Sequence, residues 1–265
     1  MIIGFDHVVI AVHDLEAGAA QYETLLGRLV VDRHSHDGID VARISLDNIA
    51  VELIAPGDGP SADRVRAALE DGEGLKSLVF AARDLPSLHR RAERVDLAPE
   101  AIAERGAYSV FRFAMQRTHG LRLMALARET PSENSPGSTH GVLGLDHIVV
   151  RTPDAERAAA LYGARLGLDM RLDREVANRR LMFFRCGDAI VEVLHDPAID
   201  NGRDCFWGLS WRVANADETR ARLAHAGLDV CDVRTGLKPG TRVFTVRNGT
   251  CGVPTLMIEP STKPD

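Results

Sequence analysis

The feature that most constrains this chain is an internal duplication. Gly4-Phe5-Asp6-His7-Val8-Val9 returns as Gly144-Leu145-Asp146-His147-Ile148-Val149, an offset of 140 residues. The offset persists without a gap: Asp14, Glu16, Tyr22 and Gly27 match Asp154, Glu156, Tyr162 and Gly167, and Val51-Glu52 matches Val191-Glu192. From Gly4 to Gly27, 11 of 24 positions are identical to their counterparts. A chain of 265 residues that repeats itself in this way holds two copies of one domain. Residues 129–141, between the copies, are rich in Ser, Pro and Gly, a composition that cannot bury itself and reads as a linker. The expected domains are therefore 1–128 and 142–262.

Each copy opens with a strand, Asp6 to Val12 or Asp146 to Arg151, and a helix follows. Asp14 and Asp154 suit the N-cap, where a carboxylate accepts the unpaired first-turn N–H groups. Leu15, Ala19, Tyr22 and Leu26 fall at helical spacing, and Gly27 supplies the stop. Strand-like segments come next, such as Arg180–Phe184 and Ala189–Leu194 around the turn Cys186-Gly187-Asp188. This β-α-β-β-β unit recurs inside each copy: Leu75–Ala82 precedes a helix over Asp84–Glu93, and Leu209–Val213 precedes one over Asp217–Ala226 with its stop at Gly227. The expected fold is α+β, with four tandem βαβββ modules paired into two half-open, mostly antiparallel β-sheet cups with flanking helices.

A net charge of −6 with only three lysines excludes the electrostatic footprint of a nucleic-acid binder. No apolar run approaches the ~18 residues that span a bilayer, and the first residues run directly into strand-like sequence. A cytoplasmic protein without membrane or nucleic-acid partners, monomer or homodimer, is expected. The four cysteines contain no C-x-x-C pair and are most simply free thiols. There is no P-loop, no strand-borne G-x-G-x-x-G and no G-x-S-x-G elbow.

The opening D-H-[VI]-V strand, the helix from Asp to Tyr that ends in Leu-Gly, and the V-E-[LV] strand, all repeated at fixed spacing, resemble the vicinal-oxygen-chelate superfamily. That group holds glyoxalases, extradiol dioxygenases and bleomycin-resistance proteins. The resemblance implies metal ligands on the first and fourth strands of paired modules. Carried over residue by residue, these are His7 and His147 on first strands, Glu52 and Glu192 on fourth strands, and Glu259 on the last strand of the second copy. It also implies a divalent metal (Fe, Mn, Zn or Ni) with two positions open for substrate oxygens, and a Glu ligand, Glu52 or Glu192, acting as proton base.

The pattern is incomplete. The first-strand histidine of the later modules falls on Ser77 and Gly208, and Glu259 corresponds to Leu126 in the first copy. If each copy closes on itself, one site has His147, Glu192 and Glu259 and the other His7 and Glu52. If modules are exchanged, His7, Glu52 and Glu259 share the outer site and His147 and Glu192 the inner one. Strand alternation places Val149, Met182, Phe184, Ile190, Leu194 and Met257 in the cup. The same parity puts Arg212 beside Gly208, where it would meet a substrate carboxylate. Trp207 and Trp211 fall on the opposite face, against a helix; His195 points outward; and His34 and His36 are solvated polar residues or a short metal-binding run.

Two functions follow. One is a metal-dependent enzyme of glyoxalase or dioxygenase type acting on a small, apolar or aromatic oxygenated substrate. The other is a metal-free protein that sequesters such a compound.

Overall fold

The computed structural model describes residues 1–129 and 141–261; the linker expectation falls almost wholly outside these residues. Module one runs β1 (Ile2–Ala11), α1 (Leu15–Leu26), β2 (Asp32–His36), β3 (Ile39–Ser45) and β4 (Ala50–Pro56). An additional helix, α2 (Ala62–Leu69), separates it from module two, which comprises β5 (Gly74–Ala82), α3 (Leu85–Arg94), β6 (Ala103–Glu104), β7 (Tyr108–Arg112) and β8 (Arg122–Arg128). Module three is β9 (Gly144–Thr152), α4 (Ala155–Ala159) continuing as a π-helical turn over Ala160–Arg165, β10 (Asp169–Val176), β11 (Arg179–Cys186) and β12 (Ala189–His195). Module four is β13 (Cys205–Arg212), α5 (Ala216–His225), β14 (Arg234–Thr235), β15 (Arg242–Val246) and β16 (Thr255–Glu259).

The capping chemistry expected of the repeats is present. Asp14 accepts the Ala17 N–H and Asp154 the Arg157 N–H, each at 3.0 Å. Gly27 ends α1 at φ 63°, a left-handed conformation that costs glycine little. Asp84 caps α3 through Ser87, and Asn215 caps α5 through Asp217 and Glu218.

Two mixed, partly curled eight-stranded sheets result, in the orders β2-β3-β4-β1-β5-β8-β7-β6 and β10-β11-β12-β9-β13-β16-β15-β14. Most neighbours are antiparallel, whereas β12 with β9, β5 with β8 and β13 with β16 run parallel. The parallel pairs have a simple cause. A module's helix carries the chain back across the sheet, so its last strand returns beside its first in the same direction.

Close packing divides the chain differently from the sheets. Among the described residues, one compact unit holds 1–8, 76–129 and 147–207, and the other holds 9–75, 141–146 and 208–261. Modules two and three thus pack as one unit. There Arg165 donates to the Val95 and Arg117 carbonyls (2.9 and 3.1 Å), and Arg91 donates to the Ala164 carbonyl (2.9 Å). Modules one and four form the other. Arg222 satisfies the terminal carbonyls of Thr24 and Leu25 at the end of α1 (2.6 and 3.0 Å), and the Tyr22 hydroxyl donates to Thr250 O at 3.4 Å.

Candidate active site

Register decides which side chains share a face of module three. Phe184 stacks on Tyr162 of the α4 turn, ring centroids 5.5 Å apart, so its face of β11 is the helix face. Phe184 pairs with Val191 and Met182 with Val193, and all four are fully buried. The opposite face, away from the helix, is built in ranks. Val149, Glu192, Phe183 and Leu172 lie side by side across β9, β12, β11 and β10. One rank on are Arg151, Leu194, Leu181 and Arg174, and one rank back are His147 and Ile190.

On this face His147 Nε2 lies 3.1 Å from Glu192 Oε2, with side chains 15% and 17% exposed. His147 and Glu192 come from adjacent parallel strands, two residues out of register, which brings an imidazole and a carboxylate together diagonally. The surrounding Val149, Ile190, Leu194, Leu181 and Phe183 are apolar. Polar side chains on an apolar floor are costly to leave unpaired, and these two are held by each other.

The other residues expected at the site lie elsewhere. Met182 and Phe184 are on the helix face, as is Met257, which pairs with the fully buried Trp211 and Phe244. Glu259 has the same parity as Met257, and its Oε2 accepts the Ala216 N–H at 2.8 Å at the start of α5. It caps a helix instead of facing the cup. Gly208 is a close-approach glycine: a Cβ there would stand 2.4 Å from the Pro254 carbonyl oxygen. Arg212 donates twice to the Leu145 carbonyl, at 3.1 and 2.7 Å, tying β13 to the start of β9. Trp211 packs in the core as expected, but Trp207 is 45% exposed, with the Arg151 guanidinium 4.4 Å over its ring.

In the first copy Glu52 is ion-paired to Arg43 at 2.5 Å. Its face of module one is covered by α2: Val65 and Leu69 rest with Ala11 on Ile39 and Ile54. Ile39 and Ile54 share the face of Glu52 and Arg43 in the β3–β4 register. His7 holds Asp6 through Nδ1 at 2.6 Å, and Arg128 grips the same carboxylate with two 2.8 Å bonds. Burial opposes ionisation of Asp6, but the bonds from His7 and Arg128 outweigh it and hold the group well below the usual carboxylate range. His34 pairs with Asp32 on the exposed β2, His195 Nε2 turns to the Pro153 carbonyl at 3.3 Å, and the four cysteines are free.

A divalent metal needs at least three protein donors to be held with open positions. Among the described residues no group of three His, Cys, Asp or Glu is assembled. With Glu259 committed to α5, the His147–Glu192 pair does not fit a resident metal. The alternation His147, Val149, Arg151 on β9, legible in the sequence, carries a cation onto the face of Glu192.

The description Glyoxalase-like domain matches residues 5–167, and that of the Glyoxalase/Bleomycin resistance protein/Dioxygenase superfamily matches 146–245. A curated relative, ethylmalonyl-CoA/methylmalonyl-CoA epimerase of Cereibacter sphaeroides, is 48% identical over 63 residues, 22% of this chain. The match covers 46% of that relative, so the chain spans about half its length. Among solved structures, a mutant 4-hydroxymandelate synthase from Streptomyces coelicolor aligns with TM-score 0.75 and 14% identity, over 100% of this chain and 95% of its own. The Mn(II)-bound glyoxalase from Novosphingobium aromaticivorans aligns with TM-score 0.73 and 15% identity, over 97% and 82%. At these identities the likeness is one of fold. The match of the family over more than half the chain, with the duplicated βαβββ architecture, makes this protein a two-domain member of the glyoxalase-like family within the glyoxalase, bleomycin-resistance and dioxygenase superfamily.

Proposed function

We propose that the protein is an enzyme that moves a proton at a carbon next to a carbonyl, in a small, largely apolar oxygenated substrate held on the face of module three that carries Glu192. The observation that carries this reading is the His147–Glu192 pair at 3.1 Å on an apolar floor. Glu192 is the proton acceptor, and His147 positions its carboxylate. Val149, Phe183 and Leu194 flank it, exclude water and favour the uncharged part of the substrate. The local likeness to an acyl-CoA epimerase supports proton transfer over dioxygen chemistry, as does the lack, among the described residues, of the group of three donors that a two-His-one-carboxylate triad requires. The division into domains 1–128 and 142–262 belongs to the same proposal.

Proton transfer is read directly by NMR in deuterated water. A panel of 2-substituted acyl thioesters, α-hydroxy thioesters and aryl 2-oxo acids is incubated with the full chain, and loss of the α-proton signal is followed. Exchange with at least one class, slowed on the order of 100-fold or more in Glu192→Gln, is expected. Exchange that is indifferent to Glu192→Gln would remove the residue from the mechanism.

A second function, metal-free sequestration of an aromatic compound, is favoured by the lack of a third metal donor among the described residues. Saturable binding of such compounds, with no exchange across the whole panel and no metal by elemental analysis, would establish it instead.

A further inference from the structure

The rank beside Glu192 reads Arg151, Leu194, Leu181, Arg174, directly paired across four strands. Two cations thus bracket two leucines, one rank (roughly 7 Å, two residues along a strand) from the Glu192 carboxylate. We infer that this rank is a carboxylate-binding rim, and that the substrate of the site is an apolar acid whose own carboxylate is seated there while Glu192 addresses a carbon one rank away. This deepens the proposed proton-transfer function and rests on it for the identity of the reacting atom.

Three observations carry the inference. First, Arg151 is held in place before any ligand arrives. Its Nη2 donates to Asp196, whose other oxygen accepts the Ala198 N–H at 3.1 Å, and its guanidinium lies 4.4 Å over the Trp207 ring. Stacking and one ion pair fix the planar fork, while Nε and Nη1 keep donors without a protein partner among the described residues. A preorganised guanidinium loses little entropy on gripping a carboxylate.

Second, Arg174 has no acidic partner among the described residues, and its Nε is buried without a hydrogen bond. Asp196 offsets the charge of Arg151, but nothing in this rank offsets Arg174, so the rim carries a net positive charge. A guanidinium without an acidic partner gains a charge-assisted hydrogen bond from a ligand carboxylate at its outer nitrogens.

Third, the arrangement belongs to one copy only. At the offset of 140, Arg151 corresponds to Ala11, which lies under Val65 and Leu69 of α2. Where α2 covers the face, the arginine is an alanine; where no helix is inserted between the fourth strand and the next module, the arginine is present, beside an exposed tryptophan.

The test uses the fluorescence of Trp207, the exposed one of the two tryptophans, in the full chain. Phenylacetate and hexanoate are titrated against their neutral amides, so that shape is held constant and only the charge changes. Wild type should prefer each acid to its amide by ~10-fold or more, the range of a charge-assisted hydrogen bond. Glu192→Gln should retain or increase that preference. The double variant Arg151→Gln/Arg174→Gln should lose it, binding acid and amide within about twofold, while the charge-conserving Arg151→Lys/Arg174→Lys pair retains part of it and reports on folding. Equal binding of acid and amide by wild type, no binding of either at high millimolar concentration, or an acid preference that survives in the double glutamine variant would overturn the inference. Because binding is read without turnover, the rim stands even if no proton exchange is found, and exchange that persists in the arginine variants would leave Glu192 in its role while removing the rim.

Discussion

Gly208 occupies the strand position where the superfamily resemblance implied a histidine, and its substitution tests whether that position is a lost ligand or a packing constraint. An alanine there would put Cβ 2.4 Å from the Pro254 carbonyl oxygen, 3.1 Å from Pro254 Cβ and 3.2 Å from Pro254 C. The carbonyl is backbone and already accepts the Leu209 N–H at 3.0 Å, next to the parallel pairing of Leu209 with Thr255. Relief therefore requires β13 and β16 to separate by several tenths of an ångström. Overpacking of this kind costs about 1–3 kcal/mol, and weakening the Leu209 bond adds about 1 kcal/mol. Loss of glycine's freedom in the unfolded chain returns roughly 0.4–1 kcal/mol. Gly208→Ala should thus lose about 2 kcal/mol in equilibrium urea denaturation with an unchanged m-value. Gly208→His meets the same clash at its Cβ, so a rebuilt ligand set is not expected from it. A Gly208→Ala protein within about 0.5 kcal/mol of wild type would refute the packing explanation.

Glu259→Ala should cost about 1 kcal/mol through loss of the Ala216 cap, with divalent-metal affinity in isothermal titration unchanged; a loss of metal binding would return Glu259 to the site. Leu69→Ala, which empties the α2 plug over module one, should cost about 2–4 kcal/mol in the same denaturation assay and leave acid binding by Trp207 fluorescence intact. Asp6 is depressed in the folded state, so its stabilisation is complete above its ordinary value of 3.8 and is lost as pH falls through the folded value. The fall in urea midpoint between pH 5 and pH 3 should accordingly be smaller in Asp6→Asn than in wild type, and an identical fall would show that the Arg128–Asp6–His7 cluster contributes nothing to acid stability.

Much of the fold is legible in the sequence because it rests on local chemistry. The offset of 140 residues, the Asp14 and Asp154 caps and the Gly27 stop are all decided within a few residues of each position, and the structure repeats them. The α2 plug also leaves a local trace, Val65 and Leu69 at helical spacing, but only its packing on Ile39 and Ile54 reveals that it covers the face of Glu52.

The faces of the strands were decided by the tertiary structure. On β11 both alternating sets are apolar, Leu181 and Phe183 on one side, Met182 and Phe184 on the other. Hydropathy therefore cannot choose between them, and a shift of one residue exchanges the sets. The same holds on β16, where Leu256 and Ile258 alternate with Met257 and Glu259, and a helix needing a cap at Ala216 claimed the glutamate. The sequence by itself determined that the chain folds twice from one βαβββ pattern, because caps, stops and periodicity act over a few residues. Only the tertiary structure decided that His147, Glu192, Arg151 and Arg174 share one face, because that depends on the register between strands distant in the chain.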